Sequence, residues 1–257
     1  MQARIVGPGR GARWLGEGWR LFRGAPLAWI AAVFGYWLMM SMVSLLPFVG
    51  VVAAAVLVPA FSVGFMALAR AAGKRSPVEL SLLFDGFRHA PRAQFVLGAV
   101  YFACLALLIA ASVLVDDGAL ARWMVSGERP SDEVLQSEGF LGALAMAALL
   151  YLPVMLAFWF APPLAAWHGI GPAKALFFSF AASMMNWRAF VAYGAVMAVV
   201  TLVVPFLLVS LLTLATTGGM QVPVTMLVFP LLIVLLPTLF ASFYVSYRDV
   251  FGYDAAP

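Results

Sequence analysis

The sequence predicts an all-α, polytopic membrane protein with six transmembrane helices, and three observations lead there. First, 65% of the 257 residues are hydrophobic and only 10% are charged, against roughly 25% charged in an ordinary soluble domain. Second, the apolar residues gather into six runs of about 20 or more, the length a helix needs to cross ~30 Å of hydrocarbon at 1.5 Å per residue. Third, the charges lie between these runs and divide by sign from one side to the other. A soluble domain of this size cannot cover its surface with 15 basic and 11 acidic side chains and hide so much apolar area. A disordered chain, a coiled coil and an ordinary cytosolic enzyme are excluded. The two-residue alternation of a membrane barrel is absent, which leaves helices to satisfy the backbone in lipid.

The elements follow in order along a single membrane domain, 1–257. Residues 1–26 form a basic lead-in whose Leu15, Trp19 and Phe22 oppose Arg13, Glu17 and Arg20. The runs Leu27–Leu46 and Phe48–Leu68 are separated by little more than Pro47 and make a first hairpin, 27–68. The run is too long for a signal-peptide core and leads straight into a second span, so no cleavage is expected, although Ala53, Ala54 and Ala55 imitate a cleavage site. Residues 70–93 make an interfacial loop in which Leu80, Leu83, Phe84 and Phe87 recur at helical spacing. The runs Gln94–Val115 and Gly139–Trp167 make a second hairpin, 94–167, around an acidic loop, 116–138. A further interfacial loop, 168–188, places Ala173, Leu176, Phe177, Phe180, Met184 and Trp187 on one stripe, with Ser179, Ser183 and Asn186 opposite. The runs Ala189–Ala215 and Val222–Ser246 make the third hairpin, 189–246, before the tail, 247–257.

This order reads as one unit used three times: an amphipathic helix in the headgroup plane, then a hairpin. Each unit opens on Gly7-Pro8, Ser76-Pro77 or Gly171-Pro172, with proline where a first helical turn tolerates it. Glu17-Gly18-Trp19-Arg20 matches Asp85-Gly86-Phe87-Arg88, and Asn186-Trp187-Arg188 is a weaker copy. The outgoing spans carry Pro59, Pro162 with Pro163, and Pro237, each followed by an aromatic residue: Phe65, Trp167 or Phe243. Pro230 and Pro237, seven apart, share one face. These prolines kink their helices, and the kinks are the candidate groove of a lipid or solute site.

The charges set an orientation. Counting the N-terminal segment, both interfacial loops and the tail as one side, thirteen of the fifteen basic residues lie there with five acids, a net of +8. Arg122 and Arg129 face six acids in 116–138, a net of −4. Positive charge is retained inside, which puts both termini in the cytosol. Trp14, Trp19, Trp167 and Trp187 fall at the same ends, as an aromatic belt would. The basic pI near 9.5 therefore records orientation, and nucleic acid is not an expected partner.

Chemistry is sparse. Charged side chains are almost missing from the span cores, where proton-coupled carriers place them. Ser41, Ser44, Ser62, Ser112, Thr201, Ser210, Thr238 and Ser242 are expected to bond their own helices or join two. Cys104 is alone, so it makes no intrachain disulfide, and no zinc spacing exists. No metalloprotease or hydrolase signature is present. Gly7, Gly9 and Gly11 are not a dinucleotide fingerprint, because Ala12 takes the third glycine place and no strand precedes them. His168 suits a helix C-terminal dipole, and Asp85 with His89 reads as a surface pair. No metal, cofactor or catalytic residue is expected. The equivalent positions Arg20, Arg88 and Arg188 are the candidate contacts to anionic phospholipid headgroups, since guanidinium groups suit bidentate phosphate contacts.

Gly18-Trp19-Arg20-Leu21-Phe22-Arg23, Pro26-Leu27, Leu45-Leu46-Pro47, Pro59-Ala60-Phe61, Phe160-Ala161-Pro162, Trp167-His168-Gly169 and Ser246-Tyr247-Arg248-Asp249-Val250-Phe251 carry a resemblance. Together they resemble an uncharacterised family of proteobacterial six-helix inner-membrane proteins, over nearly the whole chain. More distantly, a lead-in followed by a hairpin is similar to the membrane domain attached to some glycerophosphodiester phosphodiesterases. The phosphodiesterase barrel is missing, so that activity is not implied. The resemblance implies the inner membrane and this topology. The expected role is non-enzymatic, a scaffold or lipid-associated envelope protein. A permease working through the kinked second, fourth and sixth spans, and a membrane subunit of a larger complex, are the alternatives.

Overall fold

The computed structural model describes residues 2–47, 49–207, 210 and 225–252. Among them every regular element is helical: α1 (Pro8–Gly24), α2 (Pro26–Ser44), α3 (Gly50–Gly73), a 3-10 segment (Leu80–Phe84), α4 (Asp85–Arg88), α5 (Pro91–Asp116), α6 (Ala119–Ser126), α7 (Asp132–Leu135), α8 (Glu138–Trp159), α9 (Ala161–His168), α10 (Pro172–Met185), α11 (Trp187–Ala198) and α12 (Thr225–Phe251). A π turn, Val199–Val203, carries α11 onward. Among the described residues six stretches are long and apolar enough to cross a membrane: Pro26–Ser44, Gly50–Gly73, Pro91–Asp116, Glu138–His168, Trp187–Leu207 and Leu231–Phe251. The expected ends at Phe48, Ala215 and Val222, and tail residues 253–257, lie outside the described residues.

Local chemistry sets the boundaries. Pro8, Pro26, Pro91 and Pro172 each open a helix, where the missing N–H would have had no intrahelical partner. Ser137 caps α8 by accepting from the Phe140 N–H at 3.2 Å. Asp116 turns the chain after α5, its carboxylate accepting from the N–H groups of Gly118 at 3.0 Å and Leu120 at 2.6 Å. The 116–138 connection is thus folded: Leu120 of α6 packs with Phe140 and Ala143 of α8, and Val134 and Leu135 close over them.

Two helices run further than expected. α3 continues past Leu68 to Gly73, and α12 continues past Ser246 to Phe251. Nothing in Tyr247–Phe251 breaks a helix, and Tyr247 and Val250 are fully buried. The tail expected to begin at 247 is therefore helical through its first turn, which puts Arg248 and Asp249 on α12.

The lead-ins differ from one another. α1 and α10 are helices of 17 and 14 residues that each precede a long helix. The second lead-in, however, is only the 3-10 segment and the single turn α4. α1 buries one face in protein, with Gly11, Trp14, Leu15, Gly18 and Phe22 buried, and leaves Arg13, Trp19 and Arg20 exposed on the other. Trp14, expected in an aromatic belt, is 0% exposed. In α10 the stripe is turned outward, with Phe177, Phe178, Phe180 and Met184 exposed and Ser179 and Ser183 fully buried. Its small and polar face is the one that meets protein.

The chain divides into two compact units, formed by the described residues of Met1–Met42, Phe61–Arg88 and Ala182–Pro257, and of Val43–Ala60 and His89–Ala181. In the first, Trp29, Phe65, Tyr244 and Tyr247 are fully buried. Phe65 stacks on Phe240 at 4.0 Å, with Tyr36 edge-on to Phe65 at 5.3 Å. Phe87 packs edge-on to Phe61 at 5.1 Å. In the second, Gly98 of α5 lies so close to α3 that a Cβ there would stand 1.9 Å from the Val56 carbonyl oxygen. Tyr101 packs on Phe158 at 5.1 Å, and its hydroxyl meets that of Tyr151 at 3.3 Å.

Candidate functional site

The first unit gathers its charges at one end. Two glycines bring α1 there: a Cβ on Gly11 would lie 1.9 Å from the Ala189 oxygen of α11, and one on Gly18 would lie 2.5 Å from the Thr238 oxygen of α12. Backbones that approach so closely admit no side chain between them. The spacing of seven residues puts the two glycines about two turns apart on one face of α1, Gly11 against α11 and Gly18 against α12. Trp14, between them, packs against Phe190 at 5.4 Å and Tyr193 at 5.7 Å. Its indole N–H donates to Asp249 Oδ2 at 2.9 Å.

That placement assembles an ion network. Arg10 donates through Nε to Asp249 Oδ2 at 2.8 Å and through Nη1 to Glu17 Oε1 at 2.9 Å. Arg248 Nη2 donates to Glu17 Oε2 at 2.6 Å and lies 3.3 Å from Asp249 Oδ1. Burial works against the charge of Arg10, but the hydrogen bond and charge of Asp249, and then Glu17, outweigh it and raise the Arg10 pKa. Arg10 therefore stays charged throughout the physiological range, and its contribution would fade only as pH rises through its folded-state value. The N-terminal segment before α1 is held beside it. Arg4 N–H donates to the Val250 oxygen at 2.7 Å. Asn186 accepts from the Val6 N–H at 2.7 Å and donates to the Arg4 oxygen at 3.0 Å.

Next to this network is an open groove of about 400 Å³ lined by Glu17, Arg20, Leu21, Ala72, Gly73, Arg75, Val245 and Arg248. Arg75 follows the end of α3 with φ +54°, a left-handed conformation that a helix terminus ordinarily assigns to glycine. Its N–H donates to the Ala72 oxygen at 3.2 Å, and the Ser76 N–H to the Ala71 oxygen at 3.0 Å. Among the described residues the Arg75 guanidinium has no ion pair or hydrogen bond, while Arg20 reaches Glu17 at 3.7 Å and is 65% exposed.

Of the expected headgroup contacts, Arg20 lines this groove and Arg88 and Arg188 do not. Arg88 is exposed at the end of α4. Arg188 is exposed and lies over the Trp187 ring at 5.5 Å. Pro59, Pro162, Pro163 and Pro237 are all buried. The helix breaks at Phe160, between α8 and α9, and the gap is filled from inside the protein. The Ser179 hydroxyl accepts from the Phe160 N–H at 2.9 Å and donates to the Leu156 oxygen at 2.8 Å, standing where those two groups would have bonded each other. Gln94 Nε2 donates to the Pro162 oxygen at 2.9 Å. Its Oε1 is buried and has no partner among the described residues.

Sequence reasoning missed Arg75, Arg248, Ser179 and the partners of Asn186. Only two signals were available: glycines seven apart on a basic amphipathic stretch, and an arginine-aspartate pair at the end of an apolar run. Four of the eight expected hydroxyls bond as foreseen. Ser112, Thr201 and Thr238 return hydrogen bonds of 2.7–2.8 Å to their own helices, and Ser242 joins Tyr193 at 2.7 Å.

Six apolar helices define the class as an integral membrane protein with a multi-pass helical domain. Over 98% of its length the chain is 38% identical to a probable inner membrane protein of Burkholderia thailandensis, 94% of which it covers. The chain belongs to the family of that inner-membrane protein. No family model matches it, and no solved structure matches it.

Proposed function

We propose that the protein is a non-enzymatic, lipid-associated component of the bacterial inner membrane, with both termini in the cytosol. The segregation of charge carries this reading: thirteen of fifteen basic residues sit at one set of helix ends, opposite six acids in the 116–138 connection. Arginines at the inner leaflet attract anionic phospholipid by about 1 kcal/mol each. The bond from Arg4 to Val250 and the ion pair of Glu17 with Arg248 support placing both termini on one side. Phospholipid is the partner in this reading, and no nucleic acid, metal or cofactor takes part.

The test has two parts. In a Cys104→Ser background, Glu133→Cys should label with an impermeant thiol reagent in intact cells, and Glu79→Cys only after the membrane is opened. The reverse pattern would overturn the orientation. Native mass spectrometry from mild detergent should show anionic phospholipid retained in preference to zwitterionic phospholipid. It also reports any retained protein partner, as expected for a subunit of a larger complex.

The helix break at Phe160 favours a second reading, a permease working through the kinked helices α3, α8 with α9, and α12. Broken helices line many transport sites, and Gln94 Oε1 is a buried acceptor beside this one. Solute flux in proteoliposomes that is abolished by Gln94→Leu would favour it. Unchanged flux would count against it.

A further inference from the structure

We propose that the groove bounded by Arg20, Arg75 and Arg248 is a phosphate site for the headgroup of an anionic phospholipid. This deepens the lipid-associated reading and rests on it. The three arginines come from α1, the turn after α3 and the last turn of α12, elements far apart in sequence that converge on one groove. Arg248 is held by Glu17 and Asp249, so its position is fixed. Arg75 has no partner among the described residues, and Arg20 is largely exposed. The groove lining carries three guanidinium groups and one carboxylate, that of Glu17, which leaves an excess of two positive charges.

Arg75 adds an independent observation. Its left-handed backbone, φ +54°, is one that glycine adopts without strain. An L side chain is strained there, and such strain gathers at functional sites. Of the non-glycine residues with positive φ among the described residues, Arg75, Ala90 and Asp117, Arg75 is the one that borders the groove, and its guanidinium has no partner among the described residues. Leu21, Ala72, Gly73 and Val245 provide an apolar wall beside the charges, matching a molecule with a phosphate at one end and hydrocarbon at the other. Trp19 is partly exposed on the same helix as Arg20, with the Arg23 guanidinium 5.7 Å over its ring, an arrangement suited to headgroup depth.

The test uses the full chain in detergent, titrated with phosphatidylglycerol, phosphatidylcholine or inorganic phosphate and read by native mass spectrometry and melting temperature. The wild type should retain phosphatidylglycerol over phosphatidylcholine. Arg20→Gln with Arg75→Gly should reduce that retention about thirtyfold, the loss of two surface guanidinium contacts. Because glycine suits the backbone at 75, this variant should melt no lower than wild type. Arg88→Gln with Arg188→Gln, neither of which lines the groove, should cost distinctly less retention, and an equal loss in the two variants overturns the groove. Undiminished retention in the first variant overturns the groove, as does loss in the second variant alone. Stabilisation by inorganic phosphate equal to that by phosphatidylglycerol overturns the lipid source. A wild type with no preference for anionic lipid overturns the functional reading itself, which separates that failure from failure of the groove.

Discussion

Gly11 and Gly16 lie on the same helix in opposite surroundings. A Cβ at Gly11 would collide with the Ala189 carbonyl, whereas one at Gly16 would meet nothing within 4 Å. Gly11→Ala should therefore force α1 away from α11 and cost about 1–3 kcal/mol. Gly16→Ala should stabilise by about 0.5–1 kcal/mol through helix propensity alone. Thermal unfolding in detergent of the two variants checks this, and equal melting temperatures would show that α1 is not docked as described. Composition offers no means of telling these glycines apart, because each is simply a glycine on an amphipathic stretch. The difference lies in which backbone comes near. Arg75 is similar: its side chain is legible as positive charge, but its left-handed backbone is set by how α3 ends.

At the scale of elements, the six apolar helices were readable because each run reports its own solvent. About 20 apolar residues have one low-energy arrangement in lipid, with every backbone bond closed inside the helix. The lead-ins were readable only as amphipathic. Period and stripe say that two faces differ, and they do not say whether the apolar face meets lipid or protein. α1 buries Trp14 and Phe22 in protein, while α10 turns Phe177 and Phe178 outward and buries Ser179. Ser179 then serves another element, filling the broken hydrogen bond between Leu156 and Phe160. Ser179→Ala should leave both groups without that hydroxyl and destabilise by about 1–3 kcal/mol, seen as a lower melting temperature and faster amide exchange around Phe160. Exchange unchanged from wild type would show that the break holds without the serine. The prolines on the same stretch announced a kink, but nothing in them announced what would occupy it.

At the scale of the whole molecule, α1 behaves as part of the membrane domain. Removing residues 2–24 would uncover the backbone of Ala189, Thr238 and Ser242 and leave Asp249 without Arg10 and Trp14. The truncated chain should melt well below wild type, because a buried carboxylate that loses Arg10 and Trp14 and keeps only Arg248 is strongly unfavourable. A truncation that melts like wild type would reduce α1 to a surface attachment. By itself the sequence determined the solvent of each long helix, their number and the division of charge between their ends. Those properties follow from local composition, and lipid reads it run by run. Tertiary structure alone decided which arginines meet, because Arg20, Arg75 and Arg248 are brought to one groove by the close approach of Gly18 to α12 and by the turn that ends α3. Contacts between residues so far apart in the chain depend on backbone proximity, and no local pattern encodes that.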